Sequence, residues 1–360
     1  MLEQSKELNF EGQNIYVGID VHLKSWSVSV MTEYSHYKTF SQDPKPEILV
    51  NYLHRNFPGA MYHSAYEAGF CGLWAHYKLV ELGVKSIVVN PADVPTTQKE
   101  MVHKTDPTDS KKIAKALRNG VLVPIYIPKP TTLELRSLLR VRTNIMRNYT
   151  RFRNRLKHFL YFHGIELPEQ FNNPVSHWTK RFVKWLMEDV HLESKNGQDA
   201  FDLLVREAEE QRKILLLATG KLRKLIQQEE YVYWVKLLRG IPGVGMISSL
   251  TFLAEIEDIR RFPSNDKLAG YVGLIPSCHA SGENDYKGEI TMRGHNVLRT
   301  LIIECAWVAI REDPALQLSY CQYCKRMESN KAITRIARKL LNRIYYVLKN
   351  EKEYILGIVQ

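Results

Sequence analysis

Two carboxylates in the stretch KTDPTDSKKI, residues 104–113, have a spacing that suits a metal ion. Asp106 is predicted to be the N-cap of a helix, with Pro107 at its first position and Asp109 at its third. Side chains three residues apart share a helix face, and two carboxylates held together repel unless a proton or a cation compensates them. The pair therefore predicts a site for a divalent metal.

Two further acids lie where strands are predicted to end. Residues 15–20 alternate like a strand that ends on Asp20, and a second predicted strand over residues 61–66 is followed by Glu67. Predicted strands over 26–30, 37–40 and 86–89 and helices over 47–57 and 73–82 complete a mixed α/β pattern. Because a sheet can bring distant strand ends to one edge, we expect Asp20, Glu67, Asp106 and Asp109 to converge and bind Mg²⁺, with Mn²⁺ as a substitute.

The composition indicates a polyanionic partner. The chain has 360 residues, enough for two or three domains, and carries 50 Lys and Arg against 39 Asp and Glu, a formal charge of +11. Nucleic acid is the expected partner, since neutralising its phosphates releases counterions. No apolar run approaches the roughly 20 residues needed to span a bilayer, and the first residues lack the pattern of a signal peptide. We therefore expect a cytoplasmic protein without membrane contact.

The cysteines argue against a disulfide framework. There are five, an odd number at irregular spacing, so reduced thiols are expected. Cys321 and Cys324 have the C-x-x-C spacing of a zinc knuckle, which Cys278 and His279 could nominally complete. A lone C-x-x-C is more often two cysteines of one helix, and that interpretation is favoured.

The middle of the chain predicts a pair of long helices. The segment Val121–Pro130 predicts a short strand followed by prolines, a domain boundary. From Thr131 the pattern predicts a long helix with an apolar stripe on one side and a basic face on the other, and this basic face contains few acids. We expect Arg147, Arg151 and Arg155 on the basic face to contact nucleic acid. The alternative is an ordinary amphipathic helix whose charged face is only solvated. Residues 163–199 are irregular, and a helical run over 201–234 can return antiparallel to the first helix.

A glycine-rich turn follows the second helical run. Residues 237–256, LLRGIPGVGMISSLTFLAEI, predict a helix-hairpin-helix in which main-chain amides near Gly243 and Gly245 hold a DNA phosphate. A tight turn between two core helices is the alternative. The basic amphipathic helix predicted over 325–349 has Ile333, Ile336, Leu340, Leu341, Ile344 and Leu348 on its inner face.

These motifs together resemble a known family. The order Asp, Glu, Asp-x-x-Asp on this α/β pattern is similar to the RuvC-like branch of the ribonuclease H fold. The phrases YVGIDVHLKSWSVSV, YEAGF, VNPADV and KTDPTDSKKIA resemble the DEDD transposases of one bacterial and archaeal insertion-sequence family, the bridge-RNA-guided recombinases. The resemblance implies a RuvC-like catalytic domain over 1–130, a coiled-coil arm over 131–235 with an insertion near 163–199, and a helical C-terminal transposase domain over 236–360.

The same family carries a nucleophilic serine in its C-terminal domain. In residues 268–301, LAGYVGLIPSCHASGENDYKGEITMRGHNVLRTL, the resemblance places this serine at Ser281, followed by Gly282. Arg293 stands where the family often has lysine, and Ser277 is the rival hydroxyl. A pentavalent phosphoryl transition state needs positive groups around it. Candidates for that charge are Lys287, Arg293, His295 and Arg299. Lys287, Arg293 and Arg299 are also expected to contact nucleic acid.

By this resemblance the chain is expected to be a DNA transposase or recombinase. A family member links its serine to a cut DNA strand, passes through a Holliday-like junction, and uses a noncoding guide RNA to choose donor and target. Expected partners are DNA, that RNA and further copies of the chain in a dimer or tetramer, with the acids and the serine in a site built from two protomers. Two alternatives stay open: a metal-dependent junction resolvase or nuclease that uses the acids alone, and a nucleic-acid-binding or assembly protein without catalysis.

Overall fold

The chain folds into two compact units, Met1–Ile127 and Pro128–Gln360. The structure is a computed structural model that describes residues 9–95, 105–281, 284–291 and 293–356. The division lies three residues before the predicted boundary at 130. The second predicted boundary, at 235, falls within a helix of the second unit, where the structure gives no division.

The first unit is built on a five-stranded mixed sheet. Its strands are β1 (Asn14–Val21), β2 (Trp26–Met31), β3 (His36–Gln42), β4 (Met61–Glu67) and β5 (Lys85–Val89), in the order β3-β2-β1-β4-β5. The first three strands are antiparallel, and β4 and β5 run parallel to β1. Each strand predicted over residues 15–89 is present to within two residues of its expected ends, and the mixed sheet is compatible with a RuvC-like domain.

Helices cover both faces of this sheet. On one face Val17 and Ile19 pack with Leu49 of helix α1 (Pro46–Asn56) and Leu79 of helix α2 (Trp74–Glu81). On the other face Ala65 packs with Ile113 of helix α3 (Asp106–Arg118). The central strand β1 is therefore enclosed on both sides, as the run of apolar residues before Asp20 requires.

Helix α3 sits directly on β1 at a glycine. A Cβ atom at Gly18 would lie 2.1 Å from the main-chain oxygen of Ser110 and 2.3 Å from the main-chain nitrogen of Ala114. The buried Ser110 hydroxyl is also 3.1 Å from Ser27 Oγ and 2.9 Å from Ser29 Oγ on β2. These contacts fix where α3 begins relative to the end of β1.

Two local predictions in the first unit are wrong. The N-cap of α3 is Thr105, so Asp106 is the first helical residue and Asp109 the fourth. The strand expected within Val121–Pro130 is reduced to a single antiparallel bridge between Val89 and Pro124, with the Ile125 amide donating to Val88 O at 2.8 Å. Proline has no N–H to donate, which explains why the pairing does not extend.

The second unit is mostly helical. Its helices are α4 (Pro130–Phe162), α5 (Lys180–Glu188), α6 (Lys195–Leu225), α7 (Glu229–Arg239), α8 (Met246–Ile256), α9 (Asn265–Val272), α10 (Asn296–Glu312), α11 (Pro314–Cys324) and α12 (Ser329–Asn350). Between α9 and α10 lies a β-hairpin of β6 (Pro276–Ser281) and β7 (Asn284–Ile290). Among the described residues, no helix combines the length and the hydropathy that a membrane span requires.

Helices α4 and α6 form an antiparallel pair, which we call the arm. Leu139 shares an apolar cluster with Leu222 at one end of the pair, and Leu160 shares another with Phe201 at the other end. The second helical run predicted over 201–234 is in fact two helices, because the chain turns between α6 and α7.

The stretch 163–199 forms part of the arm's far end. It contains helix α5 and the first turn of α6, and Trp178, Phe182 and Leu186 are buried against Leu156 and Phe201. Its aromatic residues therefore form a small core that holds the far ends of α4 and α6 together. Sequence patterns alone left the role of this stretch open.

The predicted inner face of the last helix is confirmed. The six apolar positions predicted over 325–349 are buried in α12, and they share the main core of the second unit with Leu298 and Ile302 of α10. The lysines and arginines of α12 alternate with this face.

The close contact at Gly18 predicts that adding a single methyl group there lowers the stability of the protein. Gly18→Ala should displace α3 or strain β1, because the clashing atoms are main-chain atoms that cannot rotate away, at a cost of about 1–3 kcal/mol. Thermal unfolding followed by calorimetry would measure it. Gly69→Ala is the matched control, since Gly69 is exposed with no atom within 4 Å of an added Cβ. Equal stability of the two variants would contradict the close packing of α3 on β1.

Candidate active site

The ends of β1 and β4 bring two of the predicted acids to one edge of the sheet. The parallel register pairs Ile19 with Tyr66, so Asp20 and Glu67 are the next residues on two adjacent strands. Glu67, predicted to follow the strand over 61–66, is the last residue of β4 and is half-buried. The β-sheet thus places both carboxylates on neighbouring strand ends.

Helix α3 brings a third acid to Asp20, with a histidine between them. The Nε2 atom of His22 lies 3.1 Å from Asp20 Oδ2 and 3.6 Å from Asp106 Oδ2. The ligand atoms of these three residues all lie within 4.8 Å of one another. Within the described residues they form a group close enough to hold one metal ion.

Asp109 lies next to this group but is engaged elsewhere. Its Oδ1 atom is 3.2 Å from Nζ of Lys112, and both side chains are largely buried. Asp109 still contributes to the electrostatics, because its negative charge helps to raise the pKa of Asp20. The structure therefore places Asp109 within electrostatic range of Asp20, with Lys112 as its immediate partner.

The site favours a cation. Burial raises the pKa of Asp20, His22 opposes the shift, and the nearby charges of Asp106 and Asp109 add to it, so the net pKa lies above its ordinary value. Carboxylates that raise one another's pKa are relieved by a divalent ion, and oxygen ligands suit Mg²⁺ and Mn²⁺. The residues present thus fit the metal expected from the sequence.

His22 was not among the candidate residues from the sequence. The signal for it was available, because side chains two residues apart in an extended strand point to the same face, and Asp20 and His22 have that spacing. The sequence could not show that Asp106 would lie on the other side of the same imidazole.

The predicted nucleophile lies at the end of a strand in the second unit. Ser281 is the last residue of β6 and pairs with Asn284 of β7. For Ser281 and Lys287 only the main chain is described, and Gly282 lies outside the described residues.

Arg299 holds the base of this hairpin. Its guanidinium donates to Arg293 O at 3.1 Å and to Val272 O at 3.4 Å. A Cβ atom at Gly273 would lie 2.0 Å from the Arg299 guanidinium, and Gly273 has a φ of +82°, so glycine is required there. The arginine expected to meet a phosphate is thus bonded to the main chain on both sides of the hairpin.

His295 is bound to a buried carboxylate. Glu255, with only 2% of its side chain exposed, lies 3.2 Å from His295 Nε2, 3.1 Å from Arg136 Nε and 3.2 Å from Arg140. Burial alone would raise the pKa of Glu255, but the hydrogen bond from His295 and the charges of the two arginines outweigh it and lower the pKa. Glu255 therefore connects the first arm helix, helix α8 and the segment after the hairpin.

The glycine turn before α8 is packed against α10. A Cβ atom at Gly243 would lie 2.2 Å from Cys305 O, and the Gly243 amide donates to Glu312 Oε2 at 3.3 Å. This geometry favours the alternative of a tight turn between core helices at Gly243. Gly245 is exposed and is the N-cap of α8, so a phosphate contact there stays a prediction.

The basic face of α4 is exposed. Arg147, Arg151 and Arg155 all lie on the solvent side, while Arg153 packs over the rings of Tyr149 and Trp178. Nucleic-acid binding by the three exposed arginines stays a prediction.

The C-x-x-C pair forms no metal cluster with other described side chains. Cys321 and Cys324 are exposed free thiols on α11, and the metal-ligand groups found among the described residues do not include them. Both cysteines lie on one helix, but the side chains of Cys278 and His279 are outside the described part of the chain, so the absence of zinc stays a prediction.

Comparison with protein families decides the class of protein. A DEDD model named for IS110, described as "Transposase", matches residues 17–164, and the model of the transposase IS116/IS110/IS902 family matches residues 235–321. The chain belongs to this family of insertion-sequence transposases. The first match contains all four acids, and the second contains Ser281. Residues 165–234, which include most of the far-end core of the arm, lie outside both matches.

Relatives support the same assignment. A Sinorhizobium fredii protein named as a transposase, y4qE, is 30% identical over 67% of this chain and 57% of its own length. The transposase for insertion sequence element IS1533 of Leptospira borgpetersenii is 26% identical over 69% of this chain and 71% of its own length. The pilin gene-inverting protein of Moraxella lacunata is 33% identical over 35% of this chain and 40% of its own length. The chain thus spans little more than half the length of the first of these relatives.

The Glu255 cluster predicts a stability effect that depends on pH. Glu255→Ala leaves the largely buried charge of Arg136 without a carboxylate, although its hydrogen bonds to the main-chain oxygens of residues 254 and 255 remain, and this should cost about 3–5 kcal/mol at neutral pH. Because the pKa of Glu255 is lowered by folding, its contribution is complete above the ordinary pKa of 4.5 and is lost as the pH falls through the lower folded value. Denaturant unfolding at pH 7 and in acid measures the free energy of unfolding of both proteins. The difference between Glu255→Ala and the native chain should be smaller in acid than at pH 7.

Glu230→Ala is the control for this experiment, because Glu230 is an exposed glutamate in the same unit. A Glu255→Ala variant as stable at pH 7 as Glu230→Ala would show that the cluster contributes no net stability.

Proposed function

We propose that this transposase breaks and rejoins DNA strands at the ends of its insertion sequence, with the acids of the first unit holding Mg²⁺ and Ser281 as the nucleophile. The observation that carries the proposal is the meeting of Asp20 and Asp106 at one edge of the sheet, beside the strand end that bears Glu67. Membership of the transposase family supports DNA as the substrate.

The proposed strand cleavage is a phosphoryl transfer to serine. The Ser281 oxygen attacks the scissile phosphorus and loses its proton, a P–Oγ bond forms, and the P–O bond to the leaving strand breaks as that oxygen takes up a proton. Rejoining is the reverse attack by a strand-end hydroxyl. The phosphoserine link keeps the phosphodiester energy, so no ATP is required.

The metal would be held by Asp20, Asp106 and the neighbouring Glu67 and Asp109. When bound, Mg²⁺ or Mn²⁺ supplies Lewis-acid stabilisation of charge on phosphate oxygens. For Asp109 to join, its carboxylate has to leave Lys112, 3.2 Å away.

We further propose that a noncoding RNA of the element guides the reaction and that the chain acts as a dimer or tetramer. The charge of +11 and the exposed arginines of α4 support an RNA or DNA partner. Exposed Val141, Leu216 and Leu217 on the arm support contact with a second copy. The relative named as a pilin gene-inverting protein supports a role in rearranging DNA segments.

The decisive test is a gel that detects protein covalently attached to DNA. Ser281→Ala should remove the adduct and strand exchange together, while nucleic-acid binding stays within about twofold because one hydroxyl adds little to a phosphate-dominated interface. Ser277→Ala is the matched control and should keep the adduct. Asp106→Asn should abolish both cleavage and adduct with the fold intact.

Each result of this gel favours one interpretation. An adduct formed by Ser281→Ala would place the nucleophile elsewhere, and cleavage without any adduct would favour hydrolysis by the acids alone. Full activity of Asp106→Asn in EDTA would overturn the metal assignment. Absence of cleavage by the native chain on element ends supplied with the guide RNA would favour a binding or assembly protein.

A second prediction concerns the basic face of the arm. Changing Arg147, Arg151 and Arg155 to Gln should weaken RNA or DNA binding and reduce the salt dependence by roughly one unit of slope for each lost phosphate contact. Binding titrations at several salt concentrations measure this. Lys221, Arg223 and Lys224 changed to Gln remove the same charge from α6 and serve as the control. An unchanged slope in the α4 variant would show that the basic face of α4 is an ordinary solvated surface that does not contact phosphates.

A further inference from the structure

We propose that His22 is itself a ligand of the metal, so that one imidazole nitrogen and the carboxylates of Asp20 and Asp106 bind the ion together. The inference rests on the proposed metal site and adds a nitrogen donor to a set of acids. It also predicts the site's metal preference, because imidazole favours Mn²⁺ over Mg²⁺ more than an oxygen-only set does.

The distances between the donor atoms agree with one shared ion. In an octahedral site with bonds of about 2.1 Å, neighbouring ligands lie about 3.0 Å apart and opposite ligands about 4.2 Å apart. His22 Nε2 lies 3.1 Å from Asp20 Oδ2 and 3.6 Å from Asp106 Oδ2, and all three donors lie within 4.8 Å of one another. Only shifts of a few tenths of an ångström separate this arrangement from a ligand set.

The fold holds these three donors without help from a metal. Asp20 and His22 stand two residues apart at the end of β1, and Asp106 begins the helix that packs on Gly18. The side chains remain 24%, 44% and 63% exposed for Asp20, His22 and Asp106. The remaining coordination positions are therefore open to water and to phosphate oxygens.

The competing role for His22 is that of a bridge between carboxylates. A protonated imidazole could hold Asp20 and Asp106 by hydrogen bonds and would then leave when a metal arrives. The two roles differ in one measurable property, since only a ligand has its nitrogen bonded to the bound ion.

Electron spin echo spectroscopy of the full-length protein with Mn²⁺ separates these roles. A ¹⁴N coupling to bound Mn²⁺ is expected for the native chain and for His54→Ala, an exposed histidine of α1 that serves as the control. His22→Ala should lose the coupling and bind Mn²⁺ at least about tenfold more weakly in titrations. His22→Asp should lose the coupling but keep binding, with Mg²⁺ gaining relative to Mn²⁺.

The outcomes distinguish this inference from the proposed function. Bound Mn²⁺ without nitrogen coupling in the native chain would overturn the role of His22 and leave the acidic site standing. Mn²⁺ binding that Asp106→Asn does not weaken would overturn the metal site itself. Coupling that persists in His22→Ala would assign the nitrogen to another residue and overturn the inference.

Discussion

The close packing of one helix on one strand determines where the candidate chemistry can occur. Helix α3 approaches β1 so closely at Gly18 that no side chain fits between them. The Ser110 hydroxyl, bonded to both Ser27 and Ser29, fixes the helix along the neighbouring strand. Asp106 begins that helix, so its distance from Asp20 follows from this packing. A side chain at position 18 would move the acids apart without touching any of them.

In the second unit the comparable constraint is electrostatic. Glu255 is buried, and an unpaired carboxylate there would be costly, so its three partners, two arginines and a histidine, have to stay in place. Two of them come from the first arm helix, and the third, His295, immediately precedes α10. Arg299 then ties the main chain on both sides of the β6–β7 hairpin. The first arm helix and the segment after the β6–β7 hairpin therefore meet at Glu255, while Arg299 separately holds the base of that hairpin.

Local patterns predicted most of the first unit, and distant contacts explain what they missed. Alternation placed the strands, and the strand ends located Asp20 and Glu67, because both signals are contained within a few residues. Gly18, His22 and Glu255 acquire their roles from partners far along the chain, which one sequence does not reveal. Arg299 and Gly243 are predicted from local motifs to contact phosphate, and the structure adds long-range roles that those motifs do not show: main-chain hydrogen bonds for Arg299 and close packing on α10 for Gly243. Phosphate contact by either residue stays a prediction.

The acidic site needs ligands from outside the protein to hold a metal ion firmly. Burial and like charges raise the pKa of Asp20, while Lys112 compensates Asp109 and His22 lies between the other two carboxylates. A divalent ion must therefore compete with Lys112 for Asp109 and with the hydrogen bond between His22 and Asp20, which limits its affinity for the protein alone. Mg²⁺ is commonly bound through one or two carboxylates together with substrate phosphates. Phosphate oxygens of a bound strand would supply the missing ligands, so the metal would be held firmly only when a strand is in position for cleavage.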